Sequence, residues 1–519
     1  MQLSRRYFNR QLVRAMAGFG LLPEILRAQK SPGLAVSSRP RVIGGAITGD
    51  LIGQSAVFWS RCDRPATMLL EFSTRESFQN ASRVRGPAAL DDIDFAAKLT
   101  VQDLPAGQTI FYRLAFEDIT DTSLLSEPVL GSFRTAPLAK RDILFAWSGD
   151  TVGQGYGIDL SRGGMKTYET IRRLKPDFFV HSGDTIYADK PLETELKLDD
   201  GTVWKNLVTD AKSKVAETIS EFRGNHFYNL LDENVRRFHS EVPVFFQWDD
   251  HEVLDNWYPG KILDDTRYTE KNVSLLAAHS RRAFFECLPI RPHPLERIFR
   301  NVPYGPSLEL FLLDLRSYRG ANSPNRQTEM DASSAYFGRF QLDELKRALL
   351  ASKATWKVFC SDMPLGLMVG DGKTDFENSS NGDGPALGRE LEIAELLQFL
   401  KHNRIRNTIW LTADVHHAAS VYYDPNKAVF QEFEPFWEFI SGPLHAGTFG
   451  HPPLDNTFGP ETRFLGIPKS MKSDRPPSDG LQFSGTVGID SHTEELTVTQ
   501  WNVAGDKLWS ITLPPRYSA

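Results

Sequence analysis

The first part of the chain, from residue 40 to 137, shows the apolar and polar pattern of short β-strands. Segments such as "SAVFWSRC" and "QTIFYRLAFED" carry apolar side chains at alternating positions, and turn residues separate one segment from the next. Several short strands at regular spacing are typical of an antiparallel sandwich. The pattern therefore predicts a small β-sandwich domain over residues 40–137.

From residue 141 to 519 the pattern changes to apolar strand, loop and helix. Runs such as "ILFAWS" and "TIWLT" lack strict alternation, which indicates strands buried on both faces under covering helices. With 519 residues, the chain also exceeds the roughly 250–300 residues at which a single core usually stops growing. We therefore expect an α/β fold, with a layered α/β domain over residues 141–519 that ends in a C-terminal β extension.

Acidic and imidazole side chains follow five of these predicted strands. Ligands bind beyond the carboxyl ends of strands in such sheets, so we expect these side chains to meet at one edge. A single strand-end aspartate is more often a helix cap, but several converging carboxylates repel each other unless cations neutralise them. The donors suit Fe(III), Mn, Mg, Ca or Zn. The residues concerned are Asp150, Asp184, Tyr187, Asp249, Asp250, His251, Asp362, Asp414, His416 and His417.

Charge and cysteine content exclude several classes of partner. The formal net charge is -7, and no run of lysine or arginine occurs, which argues against nucleic acid or an anionic membrane as the main partner. The three cysteines, Cys62, Cys287 and Cys360, are too few and too scattered for a disulfide framework or a CxxC site.

Residues 1–35 have the pattern of a twin-arginine signal peptide. "SRRYFNRQL" precedes the short apolar stretch "AMAGFGLL", which is too short to span a bilayer. The alternative is an arginine-rich amphipathic helix at the N-terminus. The export interpretation predicts recognition by the twin-arginine machinery, a periplasmic or secreted location, and no stable membrane span.

The order of motifs "SGD…SGDTIYAD…WDDHEVLDNW…SDMPLG…TADVHH" resembles the calcineurin-like metallophosphoesterases, and most closely the D-type (PhoD-like) alkaline phosphatases. "SGDTIYAD" is also similar to a metal-binding motif of purple acid phosphatases. The resemblance implies a layered α/β/β/α core behind a small fibronectin-like β-sandwich. It further implies an exported phosphoric ester hydrolase that cleaves small phosphomonoesters, phosphodiesters or both, by direct attack of metal-bound hydroxide.

The resemblance also implies roles for individual residues. Asp150 and His416 would bind a first metal, Asp184 would bridge two metals, and Tyr187 would bind Fe(III). The oxygen-rich second site favours Ca²⁺; its ligands would be Asp250, Asp362 and Asp414. The better-known D-type enzymes have a cysteine where Asp150 stands, so the identity of the first metal stays open. By the same resemblance, His251 would contact a phosphoryl oxygen. The chemistry of the reaction, and not the resemblance, adds two candidates: His417 or the second metal would serve the leaving group, and Asn256 in "DNW" would be a phosphate-facing donor, with an ordinary polar loop residue as the alternative.

Two other functions fit the same residues. One is a different hydrolase, such as a phospholipase- or sulfatase-like enzyme, that uses the same metal site. The other is a non-catalytic exported metal-binding protein in which the β-sandwich is the interaction module.

Overall fold

The computed structural model describes residues 39–293 and 295–517, and within them the chain forms six helices and 24 strands. The helices are α1 Lys166–Leu174, α2 Ile219–Asn229, α3 Glu233–Glu241, α4 Val273–Cys287, α5 Arg339–Ala351 and α6 Glu390–His402. The strands are β1 Val42–Ile52, β2 Ser55–Cys62, β3 Ala66–Ser73, β4 Ser82–Ala89, β5 Ala96–Val101, β6 Thr109–Asp118, β7 Val129–Arg134, β8 Ile143–Ser148, β9 Phe178–Ser182, β10 Glu195–Lys197, β11 Val203–Lys205, β12 Val244–Gln247, β13 Arg300–Pro303, β14 Leu308–Leu312, β15 Trp356–Cys360, β16 Gly370–Asp371, β17 Asp375–Phe376, β18 Thr408–Thr412, β19 Ala419–Tyr423, β20 Phe436–Ile440, β21 Pro460–Leu465, β22 Phe483–Ile489, β23 Leu496–Asn502 and β24 Lys507–Leu513.

Two large sheets form the centre of the molecule. The first has nine strands in the order β24-β23-β22-β8-β9-β12-β1-β2-β5, and the second has seven in the order β13-β14-β15-β18-β20-β19-β21. Strands β8, β9 and β12 run parallel in the first sheet, and β14, β15, β18 and β20 run parallel in the second. Each sheet therefore has a block of parallel strands whose carboxyl ends meet at one edge.

The main core lies between the two sheets, and helices cover their outer faces. Alternate side chains of each central strand point inward, including Phe145, Trp147, Phe178, Val180, Leu310, Val358, Ile409 and Phe439. Helices α1 to α4 pack on the outer face of the first sheet, and α5 and α6 pack on that of the second. This is the α/β/β/α layering that the family resemblance implied.

The N-terminal region forms a β-sandwich that shares a sheet with the rest of the chain. The four-stranded sheet β4-β3-β6-β7 packs on β1, β2 and β5, with the Phe58 ring 5.3 Å from Tyr112 and 5.7 Å from Phe133. Strand β1 also pairs in parallel with β12 at Gly49 and Val244, so half of the sandwich continues the nine-stranded sheet. The division of the chain into domains near residue 137 therefore stays a prediction.

The Tyr112 phenol ties the sandwich to α3. Its hydroxyl donates a hydrogen bond to the Ser240 carbonyl at 3.2 Å, whereas a fibronectin-type tyrosine corner would bond to backbone a few residues upstream. A Cβ at Gly131 would lie 2.3 Å from both this carbonyl and the Tyr112 hydroxyl, so β7 requires glycine there.

The C-terminal strands extend the first sheet. Strand β22 pairs antiparallel with β8, and β23 and β24 follow in order. Among the described helices, none has the length and apolar character needed to cross a bilayer. The predicted signal peptide, residues 1–35, lies outside the described residues.

Candidate metal centre

The strand-end side chains meet where the two sheets end side by side. The first sheet contributes the residues after β8, β9 and β12, and the second contributes those after β15 and β18. All of them are buried except Asp414, which is partly exposed. The centre therefore draws on both sheets: Asp150, Asp184 and Asp250 from the first, and Asp362, Asp414 and His416 from the second.

Several of these residues have a left-handed backbone conformation. The φ angles are 67° at Asp150, 50° at Asp184, 61° at Asp414 and 52° at His416. Such angles are sparsely populated outside glycine and cost on the order of 1–3 kcal/mol each. The sharp turns that they produce direct the side chains toward one another instead of along the strands. Their concentration at one place is typical of a functional site.

The first group of metal-ligating atoms belongs to Asp150, Asp184 and His416, whose atoms all lie within 4.8 Å of one another. His416 Nε2 is 3.5 Å from Asp150 Oδ1 and accepts a hydrogen bond from the Tyr187 hydroxyl at 2.8 Å. His416 Nδ1 donates to the Gly447 carbonyl at 2.5 Å, which directs the Nε2 lone pair into the group. Burial lowers the pKa of His416 to about 3, so the imidazole is neutral, as a metal ligand must be.

The second group belongs to Asp249, Asp250 and Asp414, again with ligating atoms within 4.8 Å. Asp184 connects the two groups, because it also lies within 4.8 Å of Asp250 and His251. This is the position that a bridging ligand would need.

Several carboxylate oxygens of the cluster lack hydrogen-bond partners. Among the described residues, no donor bonds to either oxygen of Asp362, to Asp150 Oδ2 or to Asp249 Oδ2. Burial, followed by the charge of neighbouring carboxylates, raises the pKa of Asp150, Asp184, Asp362 and Asp414 well above the ordinary value. A buried carboxylate without a partner is costly, and a bound cation removes that cost. The cluster is therefore short of positive charge, and its oxygen and imidazole donors fit metal ions.

His251 is held as a cation at the side of the cluster. Its Nδ1 donates to Asp189 Oδ1 at 2.7 Å, and its ring stacks on Tyr187 with 4.2 Å between centroids. Burial alone would lower the pKa of His251, but the charges of Asp189 and Asp250 outweigh it and raise the pKa to about 10. Its Nε2, 3.9 Å from Asp250 Oδ2, is therefore a positively charged donor at neutral pH.

The other two predicted substrate-contacting residues are engaged elsewhere. His417 Nδ1 donates to the Val415 carbonyl at 2.8 Å, and its Nε2 lies 2.9 Å from His451 Nδ1. Burial lowers the pKa of His417 to about 3. The Asn256 backbone N–H donates to Asp250 Oδ2 at 2.6 Å, whereas its side-chain amide donates to Asp371. Asn256 thus lies beside the cluster, and the ring of His417 is bonded away from it.

Sequence reasoning did not assign Glu252, which joins the two loops that carry Asp184 and Asp250. Its buried carboxylate accepts hydrogen bonds from the backbone N–H groups of Asp184 at 3.1 Å, Thr185 at 2.6 Å and Asp249 at 2.8 Å. The signal was present, since Glu252 directly follows His251 in "WDDHE", but a strand-end pattern does not tell which acid faces inward.

Sequence reasoning also did not assign Arg316, which follows β14 within "DLRSYRGAN". Its side chain has no exposed surface and contacts Asp249 and Glu377. The position after a parallel strand could have marked it, because β14 ends at the same edge as β15 and β18.

Solved structures share this fold. A structure described as that of PhoD matches with a TM-score of 0.68 and 18% identity over 91% of this chain and 90% of its own. A purple acid phosphatase from yellow lupin (Lupinus luteus) seeds matches with a TM-score of 0.56 and 11% identity, over 92% of this chain and 75% of its own. Alkaline phosphatase D of Bacillus subtilis (strain 168) is 24% identical over 439 residues, which cover 80% of this chain and 71% of the relative.

The fold, the acidic side chains at the sheet edge and the similarity to these proteins together define a phosphoric ester hydrolase. Its candidate metal site consists of aspartate and histidine side chains. Residues 145–500 match the model of the PhoD-like phosphatase, and residues 28–137 match the model of the PhoD-like phosphatase N-terminal domain. The chain belongs to the PhoD-like phosphatase family.

Proposed function

We propose that this protein is an exported, metal-dependent phosphohydrolase that cleaves phosphomonoesters, phosphodiesters or both. The observation that carries the proposal is the pair of ligand groups that share one sheet edge, with buried carboxylate oxygens that no donor in the described residues satisfies. Bound cations would offset the cost of burying these carboxylates, and paired cations are a recurring device for phosphate ester hydrolysis.

The ligand assignment departs from the second group at Asp249 and Asp362. Asp150, Tyr187 and His416 would hold Fe(III), and Asp184 would serve both ions. Ca²⁺ would take Asp250 and Asp414 of the second group together with Asp362, which belongs to neither group. The ions would supply Lewis acidity toward water and neutralise charge on the phosphoryl group. A hard trivalent ion favours the phenolate form of tyrosine, although burial and then Asp184 raise the pKa of Tyr187 in the protein alone.

His251 is the group that we propose to act on the substrate. As an imidazolium, it would donate from Nε2 to a phosphoryl oxygen and stabilise the negative charge that builds there. Asp189 accepts a hydrogen bond from Nδ1 and fixes the ring, while Tyr187 packs on the ring face. The backbone N–H of Asn256 would hold Asp250 in position through its hydrogen bond to Oδ2. We do not assign the leaving-group proton to His417, since both of its ring nitrogens bond to other partners.

The decisive experiment uses purified protein after chelation and selective return of Fe(III), Ca²⁺, Mn²⁺ or Zn²⁺, with elemental analysis of each sample. We expect hydrolysis of p-nitrophenyl phosphate, of its bis-ester, or of both, and the comparison sorts monoesterase from diesterase. Turnover of p-nitrophenyl sulfate alone would favour a sulfatase-like enzyme. A metal-replete protein that turns over none of these would favour the non-catalytic metal-binding protein.

Visible absorption tests the first ion separately. An Fe(III)–tyrosinate pair absorbs visible light, so Tyr187→Phe should abolish the band while the protein stays folded. Tyr156→Phe is a matched control, because that phenol bonds to the Asp474 carbonyl. A band that survives Tyr187→Phe would contradict the assignment.

Export by the twin-arginine route rests on "SRRYFNRQL". Replacing Arg5 and Arg6 by lysine should retain the full-length protein in the cytoplasm of a bacterial host, as cell fractionation would show. Unchanged export would contradict the proposal.

A further inference from the structure

Arg316 lies inside the acidic cluster. Its Nε is 2.6 Å from Asp249 Oδ1, and its Nη2 contacts Glu377. The same guanidinium is 3.6 Å from Asp362, 3.9 Å from Asp250 and 4.0 Å from Asp414. Five carboxylates from four segments of the chain therefore surround one buried arginine.

Arg316 and a metal ion would draw on the same ligands. Asp249, Asp250 and Asp414 form one of the groups that could hold an ion, and all three lie within 4.0 Å of Arg316. A guanidinium stays charged in a protein, and its N–H donors are fixed in one plane, in which they bond to carboxylate oxygens. Asp249 is the most strongly engaged of the three, since Nε and Nη2 of Arg316 both lie within 2.6 Å of its Oδ1.

We infer that Arg316 is a resident cation of the metal centre. It binds Asp249 and withdraws that carboxylate from metal ligation, and its charge limits the number of inorganic ions that the centre holds. The inference rests on the metal centre of the proposed function. A direct role on the substrate fits less well, because the Arg316 side chain has no exposed surface.

The first test counts bound ions without substrate. Arg316→Met removes the charge and keeps much of the side-chain stem, Arg316→Lys keeps the charge, and Arg319→Met is a matched control. Arg319 is also buried, but it bonds to the Glu377 carbonyl and Asn322. Equilibrium dialysis against Ca²⁺, followed by elemental analysis, should give one additional divalent ion per chain in Arg316→Met, and the wild-type number in the other two variants.

The result that overturns the inference is a folded Arg316→Met protein, with the near-UV circular dichroism of the wild type, that binds the same number of ions or fewer. Wild-type protein that binds no divalent ion under any condition would remove the metal centre, and with it the proposed function. A wild type that binds ions, beside an Arg316→Met variant without the gain, would contradict only the role of Arg316.

A second test keeps Arg316 in place, in case its replacement prevents folding. If Asp249 is bound to Arg316 and not to metal, Asp249→Asn should retain the wild-type number of ions. Asp414→Asn should lose one ion under the same conditions. An equal loss in the two variants would show that Asp249 is a metal ligand and would overturn the inference.

Discussion

Buried carboxylates in the N-terminal sandwich and at the strand-end cluster differ in how their charge is matched. Glu71 in β3 is 4% exposed, and its two oxygens accept hydrogen bonds from Arg83 at 3.2 Å and Arg113 at 3.4 Å. Asp362 in the cluster is 0% exposed, and neither oxygen accepts a hydrogen bond from the described residues. The nearest cation is Arg316, 3.6 Å away and shared with four other carboxylates.

The difference separates carboxylates buried for stability from carboxylates buried for binding. A structural carboxylate has partners within the chain, because an unmatched buried charge costs several kcal/mol. At the cluster, part of the negative charge has no partner among the described residues, so a bound cation has to supply the missing positive charge. Unpaired buried carboxylates are thus better evidence for a metal site than acidity alone.

The largest expected effect comes from Asp184→Asn, because Asp184 belongs to the first ligand group and also lies within 4.8 Å of Asp250 in the second. We expect kcat/KM to fall by roughly 10³-fold, as loss of a central electrostatic group does in other enzymes, together with lower metal content. Glu71→Gln makes the same chemical change in the sandwich and should leave both quantities near the wild-type values. Equal losses in the two variants would break the comparison.

Glu252→Gln should have the next largest effect. An amide cannot accept the three backbone hydrogen bonds that now position Asp184, Thr185 and Asp249, so we expect the Kd for the bound divalent ion to rise about 10- to 100-fold. Competition with a metal-binding dye measures this Kd.

The matched control for that variant is Glu392→Gln. Glu392 also accepts three backbone N–H groups, from Tyr336, Phe337 and Gly338, at the start of α5. Glu392→Gln should lower the free energy of unfolding and leave the Kd for the divalent ion unchanged. An unchanged Kd in Glu252→Gln would show that the loops keep their positions without Glu252.

Glu71→Ala tests the structural side of the comparison. Removal of the carboxylate leaves Arg83 and Arg113 without their buried partner, so we expect the free energy of unfolding in urea to fall by about 1–3 kcal/mol. Elemental analysis should find the wild-type metal content. A loss of metal from this variant would mean that the sandwich and the centre are not independent.

The smallest effect at neutral pH comes from a buried group that is neutral there, His226. Burial lowers the pKa of His226 to about 3, and its two ring nitrogens have no hydrogen-bond partner in the described chain. Between about pH 6.5 and 3, His226 is protonated in the unfolded chain and neutral in the folded protein. The contribution of neutral His226 to the free energy of unfolding is therefore complete above pH 6.5 and is lost as the pH falls.

His226→Phe should reduce the dependence of the unfolding free energy on pH by about 1.4 kcal/mol per pH unit in that range. Urea titrations of the wild type and the variant at several pH values measure the difference. Identical pH dependence would show that His226 is already protonated in the folded protein.

Local sequence pattern predicted most of the fold and the positions of the site residues. Strand and helix periodicity identified the layers, and the position of Asp150, Asp184, Asp362 and Asp414 just after apolar strands identified the sheet edge. It did not predict that β1 would pair with β12, because strand pairing depends on contacts about 200 residues apart. It also gave no sign of the hydrogen bond between Tyr112 and Ser240, which lie 128 residues apart.

The sequence by itself therefore determined the residue types, their spacing and the strand ends on which they stand, because these follow from periodicities of two and 3.6 residues. Only the tertiary structure decided that His417 bonds away from the cluster while His416 faces it, and that Arg316 lies among its carboxylates. Left-handed turns at strand ends and the alignment of two separate sheets set those directions, and neither leaves a periodic signal in the sequence.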